Sequence, residues 1–212
     1  MTNQNKTALI IGASGLVGGH LLQQLLDYPA YREVVALVRR PLDINHPKLR
    51  QEILDFDHPD PAKIQGDELF CALGTTIKKA GSKEVQHRID GIYPYEIGRL
   101  ARQNGVRGYF LVSSVGTDAK SSTFYLRVKG ELEEKLKMLG FPSLVIVRPS
   151  FLLGNRTEFR LGEKIGIFLA QLLRPIIPKR YRGVQASAVA AALVAAANRN
   201  VEGVLVLENE EI

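Results

Sequence analysis

The chain has 212 residues, 45% of them hydrophobic, with a formal net charge of +6 and a single cysteine, Cys71. That length can bury a sizeable core as one compact domain, and the lone cysteine excludes an intramolecular disulfide or a disulfide-stapled mini-protein. The longest apolar stretch, Ala188 to Ala197, falls well short of the ~20 residues that a membrane helix needs.

The basic residues are mostly dispersed among acids, so the charge excess suits a phosphate-rich cofactor as well as it suits nucleic acid. The opening residues MTNQNK lack the apolar core of a signal peptide. The expectation is a soluble cytoplasmic protein with no nucleic-acid or membrane partner. Cys71 lies in LFCALG at the end of a predicted strand, where a buried structural thiol is expected.

In chain order, Ala8 to Ile11 read as a buried strand that runs straight into Gly12, Gly15 and Gly18. Leu16, Val17, Leu21, Leu22, Leu25 and Leu26 then recur at helical spacing. Tyr28 and Pro29 break that pattern before a second strand, Glu33 to Val38, which Arg39, Arg40 and Pro41 follow. A short third strand, Glu52 to Leu54, ends in Asp55, Phe56 and Asp57, and His58 to Pro61 form a loop. Glu68 to Ala72 is a fourth strand ending at Leu73, Gly74, Thr75 and Thr76.

Glu84 to Gln103 read as largely helical, with Pro94 interrupting or starting a segment and Gly105 as a C-terminal cap. Gly108 to Val112 is a fifth strand, closed by Ser113 and Ser114. Phe124 to Leu139 is a helix capped by Gly140, and Ser143 to Val147 a sixth strand ending at Arg148 and Pro149. Leu161 to Leu173 is amphipathic, Gln185 to Asn198 an alanine-rich helix, and Gly203 to Leu207 a last strand. Alternating strands and helices predict an α/β fold, a Rossmann-like doubly wound parallel sheet covered on both faces. No linker divides the chain, so residues 1–212 form one predicted domain. The alternation loosens over 149–185, which predicts a small C-terminal substrate lobe.

A strand, a glycine turn and a helix in that order can hold a dinucleotide pyrophosphate at the helix N-terminus. Gly12 permits the tight turn, Gly15 lets the backbone approach the phosphates, and Gly18 lets helix and strand pack closely. The spacing is GxxGxxG rather than GxGxxG. About 20 residues further on, NAD enzymes usually carry an acid that holds the ribose 2′-hydroxyl. Arg39 stands there, with Arg40 next to it. A guanidinium pairs with a 2′-phosphate that a carboxylate would repel, so NADP(H) is expected over NAD(H).

Tyr125 and Lys129 form YxxxK, a step that puts both side chains on one helix face. An ammonium beside a phenol favours the phenolate, which suits Tyr125 to exchange a proton with a carbonyl oxygen. Ser113 and Ser114 lie just upstream at a strand's carboxyl end, where open α/β sheets bind ligands. Elsewhere, GASGL lacks the last glycine of a G-x-S-x-G elbow. His20, His46, His58 and His87 have no metal-ligand spacing, so no metal is expected. Asn155 to Thr157 fit a glycosylation sequon that a cytosolic chain would leave unused. Arg174, Lys179, Arg180 and Arg182 cluster around PIIP as a solvated face, an anion subsite or a partner surface.

GASGLVG, the serine pair and YxxxK, in this order, resemble the short-chain dehydrogenase/reductase superfamily. RPSFLLG at 148–154 is similar to the Arg-Pro segment of its atypical extended branch. LGTT (73–76), KAG (79–81), VSSVGTDAKSS (112–122) and YLRVKGELE (125–133) narrow the resemblance. They look like the oxidoreductases related to the HIV Tat-interacting protein, over roughly Thr7 to Gly166.

The resemblance implies that Gly12, Ser14, Gly15, Leu16, Val17 and Gly18 line the pyrophosphate and that Arg39 and Arg40 hold the 2′-phosphate. It implies Asp55 and Phe56 beside the adenine, and Leu73, Gly74 and Thr75 over the ribose. Tyr125 and Lys129 would contact the nicotinamide ribose, and Pro149 with Ser150 the carboxamide. It favours Ser114 over Ser113 as the catalytic serine, beside Tyr125 and Lys129. The loop at Ala72 to Gly74 departs from the Asn-Ala-Gly of typical relatives and supplies no asparagine. The implied activity is NADPH-dependent reduction of a small carbonyl compound. An NADPH-binding regulatory protein and a nucleotide-sugar epimerase or dehydratase are the alternatives. Many relatives pair through the helices that match 84–103 and 124–139, so a monomer or a homodimer is expected.

Overall fold

The computed structural model describes residues 5–154, 178–199 and 201–212. Its strands are β1 (Lys6–Ile11), β2 (Tyr31–Val38), β3 (Leu49–Ile53), β4 (Glu68–Cys71), β5 (Gly108–Val112), β6 (Ser143–Arg148), β7 (Leu152–Leu153), β8 (Val184–Gln185) and β9 (Gly203–Glu208). Seven of them form one parallel sheet in the order β3-β2-β1-β4-β5-β6-β9, and β7 pairs with β8 as a separate ribbon. The described helices are α1 (Leu16–Asp27), α2 (Ile77–Ala80), α3 (Lys83–His87), α4 (Tyr93–Gln103), α5 (Phe124–Met138) and α6 (Ala186–Ala197).

Side chains alternate across each strand, which divides the core into two layers. Ala8, Ile10, Phe70, Phe110, Val145 and Val147 face α1 and α6. Leu9, Ile11, Leu69, Tyr109, Leu111 and Ile146 face α4 and α5. The fold is therefore a Rossmann-like doubly wound α/β sheet. The chain runs β1, β2, β3 outward and then returns to place β4 on the other side of β1. This reversal opens a crevice at the carboxyl ends of β1 and β4, the place where such sheets bind ligands.

The predicted strands stand, with β2 starting at Tyr31 and β3 at Leu49. The expected helix over Glu84 to Gln103 is three pieces: α3, a π-helical turn at Arg88–Ile92, and α4. The widened turn immediately precedes Pro94. A proline ring crowds the carbonyl four residues back and offers no N–H, and a π turn gives that ring room. The amphipathic segment expected at 161–173 lies outside the described residues.

The opposite end of the sheet is fixed by one carboxylate. Glu68, 7% exposed, accepts from Tyr31 Oη at 2.6 Å and from Lys6 Nζ at 2.7 Å. It thereby ties the starts of β1, β2 and β4. Burial, followed by the Glu68 charge and hydrogen bond, pushes the Tyr31 phenol well above its usual range. Glu68→Ala leaves a buried hydroxyl and a half-buried ammonium without their partner. A loss of about 2–3 kcal/mol in urea unfolding is expected, with Glu68→Gln losing less.

Candidate cofactor and catalytic site

The glycine turn closes β1 against β4. Gly12 has φ +84°, and a Cβ there would sit 2.5 Å from the Ala72 carbonyl carbon. A Cβ on Gly18 would lie 2.0 Å from the Gly12 oxygen. Both glycines are thus demanded by the backbone itself. Gly15 is different: a Cβ would touch the Gly12 oxygen at 3.2 Å, while the residue is exposed on its outer side.

No side chain caps α1 and no acid lies in its first turn, so its leading N–H groups face outward with their positive dipole end. Ser14 is exposed beside them. Val17 is buried in the core, so only its backbone remains available to an anion. Leu16 packs against Gly154, where a Cβ would meet its Cδ1 at 2.9 Å. The segment after β6 therefore reaches back over the glycine turn.

Arg39 and Arg40 follow β2 and are exposed. Asp55 is exposed at the end of β3, accepts from the Asp57 N–H at 2.9 Å, and faces His58 at 3.3 Å. The Asp57 N–H, then His58, holds its carboxyl below the usual range. Phe56 is buried and packs its ring 5.6 Å from that of Tyr93.

Tyr93 donates to Asp57 at 2.8 Å, and Arg88 pairs with the same carboxylate and lies 5.8 Å over the Tyr93 ring. The Asp57 acid is held low by Tyr93 and then by Arg88. This Asp57–Tyr93–Arg88 cluster was invisible in sequence, because its members are 36 positions or fewer apart on separate elements. It walls an open groove of about 520 Å³ between Phe56 and α4.

The free N–H end of α1, the open side of Gly15 and the exposed arginines at the end of β2 together fit the phosphates of a dinucleotide. An anion meets donors and cations there.

On the other side of the crevice, α5 carries Tyr125, half-buried, and Lys129, 1% exposed. Lys129 Nζ donates to Val112 O at 3.3 Å, at the end of β5, and to Leu73 O at 3.4 Å, just beyond β4. Burial lowers its pKa, but the negative charges available to Tyr125, Asp90, Cys71 and Glu133 outweigh that and raise it. Cys71 is free and buried, and desolvation pushes its thiol up. Gly130 lets the loop after β5 cross α5, since a Cβ there would lie 2.2 Å from Ala119 N.

The two serines separate cleanly. Ser113, 4% exposed, donates to Glu133 Oε1 at 2.5 Å, and Glu133 is also held by Arg148. Ser114 is half-buried, and its Oγ has only a long contact of 3.4 Å with Val115 O.

Gly74 is exposed, and Thr75 is fixed through both ends of its own backbone. Asp90 Oδ1 accepts from the Thr75 N–H at 2.8 Å, and Gln86 Nε2 donates to its carbonyl at 3.2 Å. The sequence offered no asparagine near Leu73, and Asp90 on the π turn is a residue that sequence reasoning missed.

Pro149 is buried, and its carbonyl accepts from Val115 N at 2.9 Å. Ser150 gives its N–H to Asn209 at 2.8 Å and its hydroxyl to the Arg182 carbonyl, so both donors are already engaged within the protein. Arg180 lies 3.6 Å from Glu208, which Arg148 also holds. In the basic cluster, residues 174–177 lie outside the described residues.

A family model described as NAD(P)H-binding matches residues 12–200. The chain belongs to this NAD(P)H-binding family. Rat Protein HTATIP2 is 40% identical over 166 residues, which cover 76% of this chain and 68% of the relative. Protein fmp52, mitochondrial, of Emericella nidulans is 35% identical over 173 residues, covering 77% and 74%. The HTATIP2 and FMP52 proteins are close homologues, as the resemblance to atypical extended short-chain dehydrogenases/reductases implied.

The fold matches "MoeE5 in complex with UDP-glucose and NAD" at a TM-score of 0.72 and 19% identity, over 96% of this chain and 75% of that one. It matches a putative NAD-dependent epimerase/dehydratase from Bacillus halodurans at 0.67 and 18%, over 98% of each. The cytoplasmic location expected from the sequence is corrected by the relatives. Several close fungal homologues are named mitochondrial. The expectation rested on the lone cysteine and the polar start of the chain, which carry no information separating these compartments.

The serine geometry yields a prediction. Ser113→Ala leaves Glu133 short of a buried donor and is expected to cost about 1.5–2 kcal/mol in chemical unfolding. Ser114→Ala is expected to unfold like wild type in the same measurement.

Proposed function

We propose that the protein is an NADPH-dependent oxidoreductase that reduces a small carbonyl compound. The observation that carries this is the pairing of half-exposed Tyr125 with buried Lys129 one helical turn below it, with Ser114, whose hydroxyl has only a long contact, at the end of β5. All three sit on the carboxyl side of the sheet, as the glycine turn does.

When bound, the nicotinamide supplies the hydride to the carbonyl carbon. Ser114 donates a hydrogen bond to the carbonyl oxygen and orients it. The Tyr125 hydroxyl gives that oxygen its proton and is left as phenolate beside the Lys129 ammonium. Lys129 also holds the nicotinamide ribose. The N–H groups of α1 and the backbone at Gly15 would take the pyrophosphate, Leu73 to Thr75 would contact the ribose, and Arg39 with Arg40 would bind the 2′-phosphate. Asp55 and Phe56 border the adenine. The chain is read as a single domain, and the stretch after β6 starts over the cofactor site, where Gly154 packs on Leu16. A mitochondrial setting is supported by the names of the FMP52 relatives.

Tyr125→Phe removes the proton donor and keeps the ring. Carbonyl-dependent NADPH oxidation across an aldehyde and ketone panel is expected to fall by roughly 100-fold or more, with NADPH affinity retained. Tight NADPH binding by the wild type with no turnover across the panel would favour a cofactor-sensing protein instead. Arg39→Asp is expected to weaken NADPH by roughly 10- to 100-fold and NADH far less. Equal losses for the two cofactors would sink the preference for NADPH.

A further inference from the structure

Lys129 is a fully buried cation, and its two hydrogen-bond partners are neutral carbonyls. A buried charge of this kind needs a counter-charge. Three carboxylates are buried among the described residues: Glu68, Glu133 and Asp90. Glu68 pairs with Lys6 at the far end of the sheet, and Glu133 pairs with Arg148.

Asp90 has no ion pair, is 0% exposed, and keeps one oxygen, Oδ2, without a hydrogen-bond partner. It is presented by the π turn, whose Gly91 packs so tightly on α5 that a Cβ would meet Val128 Cγ1 at 3.2 Å. Its other oxygen is committed to Thr75 N–H. The neighbouring Gln86 leaves its own oxygen unpartnered as well.

We propose that Asp90 is a positioning residue of the cofactor site. One oxygen fixes the Thr75 peptide, and the carboxylate charge is the counter-ion that keeps Lys129 protonated beneath Tyr125. This rests on the NADPH reading above but concerns binding rather than turnover.

The groups facing Lys129 are Tyr125 and Glu133 on its own helix, Cys71 on β4 and Asp90 on the π turn. The charges of Lys129 and Cys71 and the Gln86 side chain act on Asp90, and His87 lies beside Gly91. Burial raises the Asp90 acid, and the Lys129 charge opposes that first, ahead of the Thr75 and Gln86 hydrogen bonds. Because the Lys129 pKa is raised, its charge persists to higher pH than in the unfolded chain. Removing Asp90's charge takes away part of that support.

The test is NADPH titration of the full chain by fluorescence, from neutral to alkaline pH. Wild type is expected to lose affinity on an alkaline limb that Lys129→Met abolishes. Asp90→Asn keeps an acceptor for Thr75 and loses the charge. Its limb is expected to move to lower pH by about one unit, with neutral-pH affinity within roughly threefold of wild type. Asp90→Ser gives the same reading if Asp90→Asn does not fold. Gln86→Leu, which loosens Thr75 but keeps the Asp90 carboxylate, is expected to weaken NADPH already at neutral pH.

An Asp90→Asn limb that coincides with wild type overturns the proposal, as does a wild-type limb that survives in Lys129→Met. A protein that shows the shifted limb yet reduces no carbonyl fails the oxidoreductase reading and leaves the role of Asp90 standing.

Discussion

The site hangs on a buried ammonium. Lys129 reaches from α5 to the carbonyl of Val112, at the end of β5, and to that of Leu73, just beyond the adjacent β4. A cation that is 1% exposed is tolerated only where carbonyl dipoles and negative charge surround it. That requirement fixes where α5 can lie, since Lys129 must sit at the mouth of β4 and β5. It also fixes Tyr125, one turn nearer solvent on the same face. Gly130 then follows for a steric reason, because the loop carrying Ser114 passes where a side chain would stand. Tyrosine, lysine and the serine loop are one packing solution rather than three independent placements.

The two ends of the sheet are built on different terms. At the amino ends, Glu68 satisfies Tyr31 and Lys6, and the Asp67 carboxylate accepts from Thr7 N at 2.7 Å, so donors and acceptors are matched. At the carboxyl ends, α1 has no side-chain cap, Ser114 Oγ has only a long contact, and Asp90 Oδ2 has none. Unmatched polar groups cost stability when buried. These groups lie at the end of the sheet where the crevice between β1 and β4 opens.

The sequence exposed the features that depend on backbone geometry or on uninterrupted burial. A parallel strand covered on both faces must be apolar throughout, and β1, β2 and β5 read that way. The glycine turn was legible because Gly12 and Gly18 leave no room for a Cβ. The π turn was not. One extra residue per turn barely disturbs an apolar period, and the proline that marks it can be taken for a helix start. Asp90 was hidden with it, as an acid in a run that looks like an ordinary exposed helix. Ser113 and Ser114 are adjacent and chemically alike, and only Arg148 and Glu133, from two other elements, tell them apart.

The positive charge of the chain takes on a sharper meaning from the same geometry. Arg148 neutralises Glu133 and Glu208, Arg50 neutralises Glu33 and Glu52, and Arg88 neutralises Asp57. These arginines brace elements against one another. Arg39 and Arg40 follow the end of β2 and are exposed. Arg39 also acts on Tyr93 electrostatically, which ties it to the Asp57–Tyr93–Arg88 wall. Bracing arginines and exposed ones thus do different work, a distinction that the overall excess of +6 does not reveal.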